Sequence, residues 1–388
     1  MIDYSKLLSR KATALKPSGI RRFFDIAQTV EGVISLGIGE PDFATPWAVR
    51  KAAITTLEKG KTVYTANAGL MELRRAVSRY LEEKIHVTYH PEDQIVLTVG
   101  GSEGIDLAIR ALIEPGDEVL IPEPSFVCYS PIVALTGGTP VPIETKREDH
   151  FRLTAEALKE KITPHTKLLV MPFPNNPTGG VMKREHLEEI AAVLRDTEIL
   201  VLSDEIYSEL TYSGKHVSIA EMEGMEERTI LVDGFSKTFA MTGWRLGMLA
   251  GPAPLIHEML KIHQYAVMCS PTVSQYAAIE ALTNCRREVD HMRSEYDLRR
   301  KFLVAEMNRM GLDCFEPEGA FYVFPSIKST GLTSEEFCER LLYDCKVAVV
   351  PGNAFGASGE GFIRISYAYS LAHLQEAIKR MEKFLKTL

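Results

Sequence analysis

A lysine just beyond an apolar run is the first residue that could do chemistry. In TILVDGFSKTFAMTGWRLG, Lys237 follows TILVDG with only Phe235 and Ser236 between. A lysine at a strand end in partly apolar surroundings has a lowered pKa and can attack a carbonyl carbon as a free amine. A single lysine is ordinarily a solvated surface amine, so the weight falls on its companions. Asp204 closes the run ILVLS, and a carboxylate ending an apolar strand is costly without a partner. A protonated ring nitrogen would be such a partner, and Tyr207 could then reach a ring hydroxyl. Asn176, on the turn PNNPTGG, could donate to a ring oxygen, and Phe126, after EVLIPEP, could stack on a flat ring. After QIVLTV, the small residues Gly100, Gly101 and Ser102 lead into a helical pattern whose first N–H groups suit a phosphate. Glu103 lies in the same turn; its carboxylate would repel an anion, so its backbone alone is assigned there. Arg245, in TGWRLG, offers a planar charged fork to a phosphate.

Taken singly, these residues have plainer readings: a tight turn, a core aromatic, a surface amine. Together they supply a phosphate cradle, a stacking ring, an amide, a carboxylate, a phenol, an amine and a guanidinium. All but the Arg245 segment follow successive apolar runs, and ligands of open α/β sheets bind beyond the carboxyl ends of the strands. A carboxylate against a pyridinium nitrogen is the pairing that makes pyridoxal phosphate an electron sink.

The elements that must position these groups can be read from pattern. Strands are predicted at 94–100, 118–124, 167–174, 199–205, 229–236 and 245–251, with helical patterns such as 103–113 and 184–196 between them. Strands apolar throughout imply burial on both faces, and strand alternating with helix is the α/β signature. The last third differs. A long charged helical pattern covers about 274–309, followed by AFYVFPSI, VAVVPG and FIRISYA, with a helix expected on each side of VAVVPG. This predicts a smaller α+β domain. The segment ISLGIGEPDF has the character of a connector, and the chain up to residue 44 is expected to pack with the smaller domain. The predicted boundaries are 45–285 for a large cofactor-binding domain, and 1–44 with 286–388 for the small one.

The bulk numbers narrow the classes. A chain of 388 residues is long enough for two domains, and 45% hydrophobic with 25% charged is ordinary for a globular protein. The net charge of -8 is spread without a basic stripe, which argues against nucleic acid as a partner. No apolar run approaches the ~20 residues that span a membrane, and the charged start lacks a signal-peptide core, so the cytoplasm is the expected compartment. The six cysteines form no CxxC pair and the histidines no HxxxH or HExxH, so no metal is expected.

ISLGIGEPDF, TVGGSEG, PNNPTGG, LSDEIY, GFSKTFAMTGWRLG and FIRISYA, in this order and spacing, resemble the class I aminotransferases of pyridoxal phosphate fold type I. The resemblance covers essentially the whole chain. It implies an α/β large domain with a mostly parallel seven-stranded sheet flanked by helices, plus the smaller α+β domain. It implies pyridoxal 5'-phosphate as cofactor, with L-amino acids and 2-oxo acids such as 2-oxoglutarate as substrates, and a homodimer with shared active sites. Lys237 matches the lysine that bonds to the cofactor and later moves the substrate proton. Asp204 matches the pyridinium partner, Tyr207 and Asn176 the groups at the ring oxygen, and Phe126 the stacking aromatic. Gly101, Ser102, Ser236 and Arg245 match phosphate binders, and Tyr64 a tyrosine that reaches the neighbouring subunit's phosphate. Arg364 matches the arginine that grips the substrate α-carboxylate, with Gly39 at the same end.

Two departures bear on substrate. Gly234 stands where some members have serine, which weakens the case for Ser236. Ser102 stands where one branch that takes dicarboxylic substrates has a lysine. The side-chain pocket is therefore expected to be apolar and aromatic, with Ile20, Phe126, Tyr322 and Phe355, favouring aromatic or varied amino acids. Similar enzymes act on aspartate, alanine or N-acetyl-diaminopimelate, and these are the alternatives. A pyridoxal phosphate C–S lyase on the same fold is a rival reaction.

Overall fold

Seven short strands assemble into one sheet: six are apolar and bury both faces, and the seventh lies more exposed at an edge. The computed structural model describes residues 2–17, 19, 20 and 30–388. A first strand, β1 (Ile34–Ser35), lies outside the large sheet. The sheet is built from β2 (Ile95–Thr98), β3 (Glu118–Glu123), β4 (Thr139–Glu144), β5 (Thr166–Pro172), β6 (Leu200–Asp204), β7 (Thr229–Gly234) and β8 (Gly247–Ala250). Their order is β2-β8-β7-β6-β5-β3-β4. The ladder is parallel except at β8, which runs against both β2 and β7.

Alternate residues feed two cores. Val96, Val119, Val170, Leu202, Val232 and Leu249 point to one face, under the helices Gly101–Leu112, Tyr129–Thr136 and Ala253–Ala266. The other face packs Leu97, Leu231 and Met248 against the helices Trp47–Glu58, Met71–Ile85 and Thr272–Asn284. Toward β5 that same face packs Leu169, Met171 and Val201 against Arg184–Leu194. These helices cover both faces of the sheet, as continuous apolar strands require.

A second group of elements contains β9 (Tyr322–Val323), β10 (Val347–Ala348), β11 (Val350–Pro351) and β12 (Ile363–Ser366). β11, β12 and β9 form a three-stranded antiparallel sheet. β1 pairs in parallel with β10, so the segment expected to be a plain connector is a strand of this group. Its core gathers Leu36, Tyr296, Phe321, Phe337, Ile365 and Phe384.

Other expectations also change. The helical pattern at 274–309 is two helices, Thr272–Asn284 and Arg286–Arg309, parted at Cys285. A helix precedes VAVVPG (Ser334–Cys345), but two short 3-10 turns follow it, and Leu371–Leu385 comes only after β12. β4 was not expected: its sequence TPVPIE has two prolines and a mostly half-exposed or exposed pattern, as an edge strand permits. Among the described residues, no helix is long and apolar enough to cross a membrane.

Candidate active site

Because β2, β3, β5, β6 and β7 run the same way, their carboxyl ends share one edge of the sheet. A cavity of about 300 Å³ opens there, within the usual range for small-molecule sites. These five strands deliver seven predicted residues to its wall: Gly101 and Ser102 beyond β2, Phe126 beyond β3, Asn176 beyond β5, Asp204 at the end of β6, and Ser236 and Lys237 beyond β7. Gly39, Tyr322 and Arg364 close the wall from the second group of elements, and Ile20 joins them. Of the stretch SGIRR, which contains Ile20, Ser18, Arg21 and Arg22 lie outside the described residues.

The phosphate end is a helix N-terminus. Gly100 has φ 77°, a left-handed conformation that glycine adopts freely, and starts the helix Gly101–Leu112. Gly247 on β8 lies so close that a Cβ there would stand 2.5 Å from the Gly100 carbonyl carbon. The Arg245 guanidinium lies against Gly100, held by Nη1 donating to the Thr242 carbonyl at 3.1 Å. Helix N–H groups and a guanidinium facing one space suit a phosphate. The Glu103 carboxylate is turned away, accepting from the Val99 N–H and pairing with His263 Nδ1 at 2.9 Å. The carboxylate thus points away from the phosphate end as expected, and Glu103, assigned there by its backbone, is not among the residues lining the cavity.

Asp204 sits buried at the floor. Its Oδ2 accepts from the Tyr129 hydroxyl at 2.7 Å and its Oδ1 from the Ile206 N–H at 3.2 Å. Burial pushes its pKa up to about 6, against the pull of those two bonds, with Asp233 and Glu205 adding to the rise. Lys237 Nζ donates to the Gly39 carbonyl at 2.7 Å. Burial brings its pKa down to about 8; Glu40 opposes the shift while Arg364 and Arg245 reinforce it.

The third charge, Arg364, is 2% exposed. Nη1 donates to Asn176 Oδ1 at 2.9 Å, Nη2 donates to the Gly37 carbonyl, and Nε is buried without a partner. Its guanidinium carbon lies 4.5 Å from the centre of the Tyr322 ring and 4.8 Å from that of Phe355. Phe355 was expected in the pocket wall; instead it is buried behind Arg364 and does not line the cavity. Tyr64 does not line its own chain's cavity either and is 78% exposed.

Sequence reasoning missed Tyr129, Glu40 and Thr242. Tyr129 stands at the first position of a helix, where nothing in the sequence says its hydroxyl reaches Asp204. Glu40 and Thr242 bond to each other, Thr242 lining this cavity and both lining a neighbouring surface recess.

A pyridine ring carrying an aldehyde and a phosphate fits this donor set. Asp204 is a buried carboxylate without a cation, Lys237 is a desolvated amine, and the helix N-terminus with Arg245 is an anion cradle. The fold and the site together define a fold type I pyridoxal phosphate enzyme. The profile of the family described as Aminotransferase class I and II matches residues 31–381. An aspartate aminotransferase of Pyrococcus abyssi is 48% identical over 98% of this chain and 98% of its own length. An aromatic-amino-acid aminotransferase of Thermococcus litoralis is 47% identical over 98% of each chain. The crystal structure of an aromatic aminotransferase from Pyrococcus horikoshii superposes with a TM-score of 0.90 at 47% identity, covering 94% of this chain and 99% of the other. The chain belongs to the class I and II aminotransferases, enzymes that use pyridoxal phosphate to exchange an amino group between amino acids and 2-oxo acids.

Proposed function

We propose that this aminotransferase acts on aromatic and other bulky apolar amino acids, with 2-oxoglutarate as acceptor, rather than preferring aspartate. The observation carrying this reading is the charge inventory of the cavity. Among the described residues its cations are Lys237, Arg245 and Arg364, and each has a task. Lys237 is the amine, Arg245 lies at the phosphate end, and Arg364 is the partner for an α-carboxylate. No described cation is left for a second carboxylate, so the distal carboxylate of 2-oxoglutarate would be met by hydrogen bonds rather than by a fixed cation. Ile20, Phe126 and Tyr322 offer apolar and aromatic surface beside them. The related enzymes named for aspartate and for aromatic amino acids leave both substrates open, which makes the pocket decisive.

In this reading Lys237, unprotonated in appreciable fraction near neutral pH, takes the substrate α-proton and returns it. Asp204 stays ionised once a cationic ring nitrogen lies against it. When bound, pyridoxal phosphate supplies an electron sink for the charge released at the α-carbon. Tyr207 and Asn176 hold the ring oxygen, Phe126 covers the ring face, and Gly101, Ser102, Ser236 and Arg245 hold the phosphate. Arg364 exchanges its Gly37 and Asn176 partners for the α-carboxylate, whose two oxygens match its planar fork. Residues 45–285 form the cofactor-holding part, and 1–44 with 286–388 the smaller part; the break between helices at Cys285 supports that boundary.

A half-reaction screen tests the substrate. Each amino acid is added to the holoenzyme without acceptor, and the change in cofactor absorbance is followed. Phenylalanine and tyrosine should match or exceed aspartate in efficiency. An aspartate advantage of tenfold or more, about 1.4 kcal/mol in the transition state, would contradict the pocket reading. Release of pyruvate and ammonia without an acceptor would favour a lyase instead.

A further inference from the structure

One buried tyrosine touches three parts of the site that the assigned roles treat separately. Tyr322, on β9, is 1% exposed. Its Oη lies 2.8 Å from the Tyr207 Oη, and its ring carries the Arg364 guanidinium at 4.5 Å. A Cβ on Gly39 would stand 2.2 Å from the same Oη, and the Gly39 carbonyl holds Lys237 Nζ.

We infer that Tyr322 is a positioning residue that joins the two ends of the site: its hydroxyl donates to Tyr207, leaving the Tyr207 proton for the ring oxygen of the cofactor, and its ring seats Arg364. This rests on the cofactor reading above. Either phenol could donate in the pair, so the direction needs a reason. A cation close above a phenol ring favours loss of the hydroxyl proton, and Arg364 lies over the Tyr322 ring. Burial raises the pKa of both phenols and the charge of Arg364 opposes the rise at both, but at Tyr322, whose ring it covers, it is the chief influence after burial, whereas at Tyr207 it ranks behind the contact with Tyr322. Tyr322 is then the donor, and a phenol that accepts a hydrogen bond becomes a stronger donor itself. The charged and titratable groups that face the pair are Asp204 from β6, Tyr129 beyond β3, Arg364 from β12 and Tyr369 beyond β12, with Lys237 beyond β7 in the same cavity and Glu40 and Arg245 acting on it. Tyr322→Phe changes none of them.

The test is the pH titration of the visible absorbance of the holoenzyme, for the wild type, Tyr322→Phe, Tyr207→Phe and the double variant. A donor to the ring oxygen stabilises its anionic form. Weakening that donor should move the midpoint upward, by roughly half a unit to one unit for Tyr322→Phe and by more for Tyr207→Phe. In the Tyr207→Phe background, Tyr322→Phe should add nothing. Gly39→Ala, which presses on the same hydroxyl from the other side, should shift the midpoint in the same direction and gives a second route if Tyr322→Phe does not fold. Tyr322→Phe keeps the ring under Arg364, so KM for amino acids should stay within about twofold; Tyr322→Leu removes the ring and should raise KM about fivefold or more for every substrate. An unshifted midpoint in Tyr322→Phe, or an equal shift with Tyr207 absent, overturns the coupling. A wild type with no titrating visible band would overturn the cofactor reading itself, and the inference with it.

Discussion

Asp204 and Lys237 are displaced in opposite directions by one cause. Burial disfavours charge, so the carboxyl rises to about 6 and the ammonium falls to about 8. Both shifts favour the neutral form, and a ring bearing a cationic nitrogen and an aldehyde relieves both. The cofactor-free protein should show what this costs. With a folded pKa above its ordinary 3.8, Asp204 adds stability at low pH that is lost as pH rises from about 4 through 6. Asp204→Asn abolishes that loss, so the cofactor-free variant should be about 1–3 kcal/mol more stable than the wild type at pH 7.5, with little difference at pH 4. It should also hold the cofactor more weakly. Thermal unfolding of both cofactor-free proteins at the two pH values checks this; a variant less stable at pH 7.5 would contradict it. Asp204 was legible because an acid closing ILVLS is conspicuous. Its partner Tyr129 was not, because a hydroxyl's reach depends on the path of the chain after β3.

At the scale of elements, parallel β2, β3, β5, β6 and β7 place their ends together, and the antiparallel β8 seats the phosphate turn. Gly247 can approach Gly100 and Gly101 only without a side chain, since a Cβ would stand 2.6 Å from the Gly101 nitrogen. Gly247→Ala should therefore shift the start of the helix Gly101–Leu112. We expect cofactor affinity to fall at least about tenfold, the loss of roughly one good charge-assisted hydrogen bond, with helix content by circular dichroism nearly unchanged. Equilibrium dialysis measures the affinity, and wild-type binding would show that the turn tolerates the shift. The buried strands were legible because covering on both faces makes them continuous apolar runs. The direction of β8 was not, since an apolar run reads the same either way. β4 was hidden by its prolines and exposure, and β1 by its two-residue length. The break at Cys285 carries no glycine or proline to mark it, and apolar residues recur at helical spacing on both sides, Ala277, Ala278 and Ala281 before it and Val289, Met292 and Tyr296 after it.

At the scale of the molecule, Tyr64 stands clear of its own chain's cavity and open to solvent. Val63 and Tyr64 are 74% and 78% exposed and Tyr265 is 89% exposed, an unusual amount of aromatic and branched surface to leave in water. If Tyr64 completes a partner's phosphate site, mixing Lys237→Ala with Tyr64→Phe subunits places both lesions in one site of a hybrid dimer and leaves the other intact. Activity in the mixture should exceed that of either parent; no recovery, or full activity in a sedimenting monomer, would contradict the shared site. The motif order along the chain made the family legible, whereas the seating of Phe355 behind Arg364 depended on packing between distant segments. The account of the active site rests on one claim, that the cofactor is bonded to Lys237 within the strand-end cavity. Borohydride reduction of the holoenzyme followed by peptide mapping tests it most directly. The account predicts a single reduced pyridoxyl label on the peptide containing GFSKTF, absent in Lys237→Ala although that variant still retains bound cofactor; a label on any other lysine would contradict it.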